Sequence, residues 1–121
     1  MLTTTGIAEI AALVGDPTRT AMLVALMDGR ALTATELANV AGVTPQTVSS
    51  HLGRLTDAGL LTVERQGRHR YHRLASSTVA AMLEGIMAVA AEPGNRPDRR
   101  VRTGPRDAAM RRARVVPRGV V

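Results

Sequence analysis

The sequence predicts a mainly α-helical domain with one small β-hairpin: about five helices and a two- to three-stranded wing. Three observations predict it. Two helix signals follow one another with only a few residues between them, around Gly42 to Thr44. Apolar residues recur at helical spacing before and after that pair. A single alternating, arginine-rich stretch, Leu61 to Leu74, has the β-branched content and central turn of a hairpin.

Ile7, Ile10, Ala11 and Val14 define the first helix, which Gly15 ends. Asp16-Pro17 caps the second, with Met22, Leu23, Leu26 and Met27 facing inward and Gly29 after it. Leu32 lies in a short extended piece expected to pair with the wing. Thr33-Ala34-Thr35-Glu36 fits a capping box, in which a hydroxyl and a carboxylate satisfy each other's free backbone donors. Leu37, Val40 and Ala41 form the apolar stripe of that third helix, and Gly42 closes it with a residue that tolerates positive φ. Thr44-Pro45 starts the fourth, whose buried stripe is Val48, Leu52 and Leu55 and whose stop is Gly59. Helices joined by so short a turn cross steeply, which pushes the later one out of the surface. Ser76 or Ser77 caps a last helix bearing Val79, Met82, Leu83, Ile86, Met87 and Val89.

The outward arc of the fourth helix carries Gln46, Thr47, Ser49, Ser50, Gly53 and Arg54, with Thr44 at its start. Between Gln46 and Thr56 there is no acid, whereas an ordinary solvated face carries both signs of charge. Amide, hydroxyl and guanidinium groups in this pattern suit nucleotide edges and phosphates. The hairpin adds Arg65, Arg68, His69 and Arg70 around its Gln66-Gly67-Arg68 turn, with Arg73 beyond and Glu64 as its one acid. Such a tip suits a phosphate backbone or minor groove; the plainer reading is a charged turn protecting a sheet edge. Helix, turn, outward helix and basic hairpin in this order make a winged helix-turn-helix.

Composition bounds the rest. The 121 residues include one Tyr, no Phe, no Trp and no Cys. The core must therefore be aliphatic, and disulfides, thiolate metal sites and thiol sensing are excluded. No apolar run approaches ~18 residues and no signal-peptide pattern opens the chain, so a cytoplasmic location without membrane association is expected. The net charge of +6 comes entirely from arginine and is unevenly placed. Residues 1–92 hold 7 arginines against 8 acids, whereas residues 93–121 hold 9 against 2. The domain thus covers 1–92, and 93–121 reads as a basic Arg/Pro/Gly-rich tail, expected to be disordered. The first and last helices are broadly apolar, and Ile7, Ile10, Val14, Val79, Met82, Leu83, Ile86 and Met87 are expected at a two-fold seam. Alternatively, both helices cover only the core of their own chain.

Over roughly residues 6–90 the chain resembles the ArsR/SmtB family of winged-helix regulators. The matching stretches are Asp16-Pro17-Thr18-Arg19, Glu36-Leu37-Ala38, Val48-Ser49-Ser50-His51-Leu52 through Leu55, Ala58-Gly59-Leu60-Leu61, and Gly67-Arg68-His69-Arg70-Tyr71 through Leu74. The resemblance implies a bacterial homodimer joined by its first and last helices. It further implies repression through an inverted-repeat operator, with release often triggered by an inducer, here unknown. His51 matches the family's usual histidine and reads as a packing or phosphate-contacting group. Departures matter too. Metal-sensing members carry cysteines after the Glu-Leu, where this chain has Ala38, Asn39, Val40 and Ala41, and the last helix lacks histidine. His69 and His72 are three apart in a hairpin and fall on opposite faces. Neither a metal nor a cofactor is therefore expected, and no catalytic constellation stands out. Arg102 to Arg114 resembles the start of an additional module of longer relatives, here expected to serve as a basic arm that strengthens DNA binding without sequence preference.

Double-stranded DNA is the expected partner of a homodimeric repressor. The alternative is a protein-interaction module with only non-specific DNA affinity.

Overall fold

The computed structural model describes residues 3–94. The basic tail expected from the sequence lies, beyond Gly94, outside the described residues. The order is α1 (Thr4–Gly15), α2 (Pro17–Ala25), α3 (Ala34–Ala41), α4 (Pro45–Asp57), β1 (Leu61–Gln66), β2 (His69–Leu74) and α5 (Ser77–Ala90). The chain divides into two compact units, Met1–Ala81 and Met82–Val121, and the later turns of α5 fall in the second.

In the first unit, local hydrogen bonds explain the helix boundaries. Thr3 caps α1 by accepting from Gly6 N–H at 2.9 Å. Asp16 ends α1 and caps α2, its carboxylate accepting from Arg19 N–H at 3.0 Å with Pro17 in the first turn. α2 stops at Ala25, earlier than Met27, because Asp28 and Gly29 both adopt left-handed backbone, at φ 67° and 74°. Aspartate and glycine are among the residues that reach this region most readily. Leu26 is still fully buried just past the helix end. The capping box of α3 forms as expected, with Thr33 N–H donating to Glu36 Oε1 at 2.9 Å and Glu36 N–H to Thr33 Oγ1 at 3.2 Å. α3 closes on Gly42 at φ 72°, where the N–H groups of Gly42 and Val43 both return to Ala38 O. α4 ends in a Schellman motif: Leu60 N–H donates to Leu55 O at 3.0 Å, Gly59 N–H to Thr56 O at 3.0 Å, and Leu55 and Leu60 are both buried.

One stripe is corrected. Val40 is 54% exposed, whereas Leu37 and Ala38 are buried and Ala41 is half-buried. α3 packs against both α2 and α4. Its inner face is therefore rotated toward Ala38, whose methyl group takes little room between packed helices, and Val40 turns to solvent.

The buried centre comprises Met22, Leu23, Leu26, Leu37, Val48, Leu55 and Leu61. It is aliphatic, as the composition requires. β1 and β2 pair antiparallel with Leu61 opposite Leu74, Val63 opposite His72, Arg65 opposite Arg70 and Gln66 opposite His69. The turn is only Gly67-Arg68, one residue shorter than the sequence suggests, with Gly67 at φ 60° in the first position, where a two-residue hairpin favours glycine. Leu32 pairs with His72 through two backbone hydrogen bonds, at 3.0 and 2.8 Å, so the third strand exists as a single bridge. Ser76 Oγ caps α5 by accepting from Val79 N–H at 3.3 Å.

Candidate nucleic-acid interface

α4 is held from below and open above. Val48, Leu52 and Leu55 anchor it in the core. Gln46, Thr47, Ser49, Ser50, Gly53 and Arg54 are all exposed. Thr44 is exposed as well, but its hydroxyl already accepts from Thr47 N–H at 3.2 Å and lies 3.0 Å from Thr47 Oγ1. A Cβ added at Gly53 would meet nothing within 4 Å, so no packing contact in the chain requires glycine there. A glycine in a helix interior costs about 1 kcal/mol relative to alanine. The open space above it suits close approach by another molecule.

Register decides how the hairpin presents its charge. Directly paired residues of an antiparallel ladder share a face. Leu61, Val63 and Arg65 therefore lie with Leu74, His72 and Arg70. Near the base this face is core, since Leu61 and His72 are buried; at the tip it becomes two exposed arginines directly opposite each other. Like charges in that position destabilise a hairpin unless an anion lies against them. Arg68 and His69 are exposed beside them. Arg73 differs: its guanidinium pairs with Glu64 at 2.8 Å on the opposite face, which removes it from the free cations of the tip.

Between α4, the start of α3 and the hairpin runs an open cleft of about 520 Å³. Ser49, Gly53, Thr56 and, at the C-terminal end of α4, the acid Asp57 line it together with Arg68, His69, Arg70 and His72 of the hairpin and Thr33 and Thr35. His69 and His72 indeed separate, one exposed and one 6% exposed. Burial, and secondarily the charge of Arg70, holds His72 below the ordinary histidine range, so its ring is neutral at neutral pH. Among the described residues, no group of three or more His, Asp or Glu side chains could hold a metal ion.

Sequence reasoning missed Arg19. It is only 8% exposed and reaches His51 of α4. The signal was present, since Arg19 precedes Met22 and Leu23 by three and four positions and so lies on the buried face of α2. Thr33, Thr35 and Thr56 were also not singled out as lining the interface; they come together only through the packing of α3 on α4.

The residues expected at a dimer seam divide. Val14, Val79 and Leu83 are already buried in the single chain, Ile10 and Met82 are half-buried, and Ile7, Ile86 and Met87 are exposed. Among the described residues, no helix is long and apolar enough to cross a membrane.

Three kinds of comparison agree with this geometry. A family model described as a helix-turn-helix domain matches residues 14–64. An uncharacterised HTH-type transcriptional regulator of Bacillus subtilis, YdfF, is 49% identical over 84 residues, which are 69% of this chain but only 37% of that protein. The HTH-type transcriptional regulator CmtR of Mycobacterium tuberculosis is 36% identical over 83 residues, 69% of this chain and 70% of that protein. Among solved structures, a homodimeric winged helix-turn-helix DNA-binding domain from Mycobacterium bovis, described as a possible ArsR-family transcriptional regulator, superposes with a TM-score of 0.66. It is 26% identical, and the match covers 71% of this chain and 79% of that one.

Proposed function

The chain belongs to the ArsR family of winged helix-turn-helix transcriptional regulators, and on that premise we propose that it is a homodimeric, sequence-specific DNA-binding repressor of an inverted-repeat operator. α4 lies in the major groove, where Gln46 and Arg54 read base edges and Thr47, Ser49 and Ser50 meet bases or adjacent phosphates. Arg65, Arg68, His69 and Arg70 hold the flanking backbone or minor groove. The exposed Ile7, Ile86 and Met87 belong to the dimer seam, and the protein works in the cytoplasm.

One observation carries this reading: the polar face of α4 from Gln46 to Arg54, free of acids and open to solvent above a buried stripe, stands across a cleft from Arg68 and Arg70, and on the hairpin Arg70 lies directly opposite a further exposed arginine, Arg65. A polyanion relieves the arginine pair and at the same time presents base edges to α4.

Selection of bound fragments from genomic DNA tests the proposal, with enrichment of a palindrome expected. Gln46→Ala and Arg54→Ala should each cost about 1–3 kcal/mol of discrimination at one base pair. If both variants keep the selectivity of the parent, the reading face is misassigned.

A further inference from the structure

Burying a guanidinium is costly unless its nitrogens find acceptors. Each of the three guanidinium nitrogens of Arg19 has one, across two helices. Its Nε donates to Leu13 O at 2.7 Å and its Nη2 to Ala12 O at 3.4 Å, two carbonyls in the last turn of α1, where cations are favoured. Its Nη1 lies 3.1 Å from Nδ1 of His51, in the middle of α4. Asp16 is the acid on this side. Its carboxylate is held below the ordinary range first by Arg19 N–H and then by the charge of Arg19.

The chemistry of the Arg19–His51 contact fixes the imidazole. A guanidinium only donates and does not lose its proton in proteins. Nδ1 must then be the acceptor, and the neutral ring carries its hydrogen on Nε2. A doubly protonated ring would set two N–H groups, and two positive charges, head-on at 3.1 Å. The other nitrogen faces outward. His51 is half-buried, and among the described residues the buried side-chain polar atom without a partner is Nδ1 of His72, so Nε2 of His51 reaches solvent. It does so at the flank of α4, one turn after Thr47 and beside Ser50.

We infer that Arg19 is a positioning residue for DNA binding: it holds His51 in the tautomer whose Nε2–H donates to a DNA phosphate at the edge of the groove. The inference rests on the DNA-binding reading above. It has a distinctive consequence, because a neutral donor releases no counterion. His51 contributes affinity without contributing to the salt dependence, unlike the arginines of the hairpin. It also ties the end of α1 to the docking helix through one side chain.

Histidine-ring 15N spectra of the full chain at neutral pH, with affinity for a short mixed-sequence duplex measured over a salt series, test it. A phosphate contact is independent of sequence, so no operator is needed. In the parent, His51 should show a protonated Nε2 and an unprotonated, hydrogen-bonded Nδ1. His51→Ala should weaken duplex binding roughly tenfold, as loss of a hydrogen bond to a charged group does, with an unchanged salt slope. Arg19→Met should lose the fixed tautomer and the same affinity, and the double variant should lose no more. A parent His51 protonated on Nδ1, or binding by His51→Ala as tight as by a parent that does bind, overturns this role alone. A parent that binds no duplex overturns the DNA reading as well. The parent spectrum and His51→Ala need no change at Arg19, so they decide the matter even if Arg19→Met fails to fold.

Discussion

Helices α3 and α4 are neighbours joined by Gly42-Val43-Thr44, and each starts with a threonine whose hydroxyl accepts from the N–H three residues on, at 3.2 Å in both. They differ in the residue at that third position. α3 has Glu36, which completes a capping box and places a carboxylate at the positive end of the helix. α4 has Thr47, and its first turn contains no acid. α3 supplies its own counter-charge, and α4 leaves the equivalent position to whatever docks on it. α4 also carries an unpacked glycine on its outer face, and α3 has none. Two helices built from the same local parts are thus separated by whether their sequence serves stability or leaves room for a partner.

Exchanging these features breaks or sharpens the contrast. The largest effect should come from Thr47→Glu, which copies the α3 box onto α4. Thermal stability should hold or rise slightly, while duplex affinity should fall at least a hundredfold, because a carboxylate facing phosphates costs several kcal/mol. Unimpaired binding by this variant would mean that the start of α4 does not face DNA. Glu36→Ala should do the reverse, lowering stability by about 1 kcal/mol in chemical denaturation and leaving sequence selectivity intact. The smallest shift is expected from Gly53→Ala. It should stabilise α4 by about 0.5–1 kcal/mol, yet weaken DNA binding by interposing a methyl group at the contact. Stability and affinity moving together in that variant would remove the close-approach explanation for the glycine.

Much of the fold could be read directly from the chain. The caps at Asp16, Thr33, Thr44 and Ser76, the stops at Gly42 and Gly59, and the buried Val48, Leu52 and Leu55 all stand where their spacing places them. The exposed set from Gln46 to Arg54 follows from the same periodicity. Val40 was misjudged because periodicity locates a stripe but not the angle at which two neighbouring helices press on it. The pairing of Arg73 with Glu64 is a diagonal contact that strand alternation alone does not reveal.

What the sequence by itself determined is governed by bonds within a few residues: where the helices are capped, where α3 and α4 stop, that a hairpin turns at Gly67, and which amphipathic face of α4 is polar. Hydroxyl caps, left-handed glycines and side-chain alternation act at that range and need no distant partner. Tertiary structure alone decided which groups from remote segments meet: Arg19 of α2 with His51 of α4, Leu32 with His72, and the cleft that brings Ser49 and Gly53 opposite Arg70. Those meetings depend on how aliphatic faces pack. Packing of non-directional apolar surface is set by the shape of the whole core and by no single residue in it.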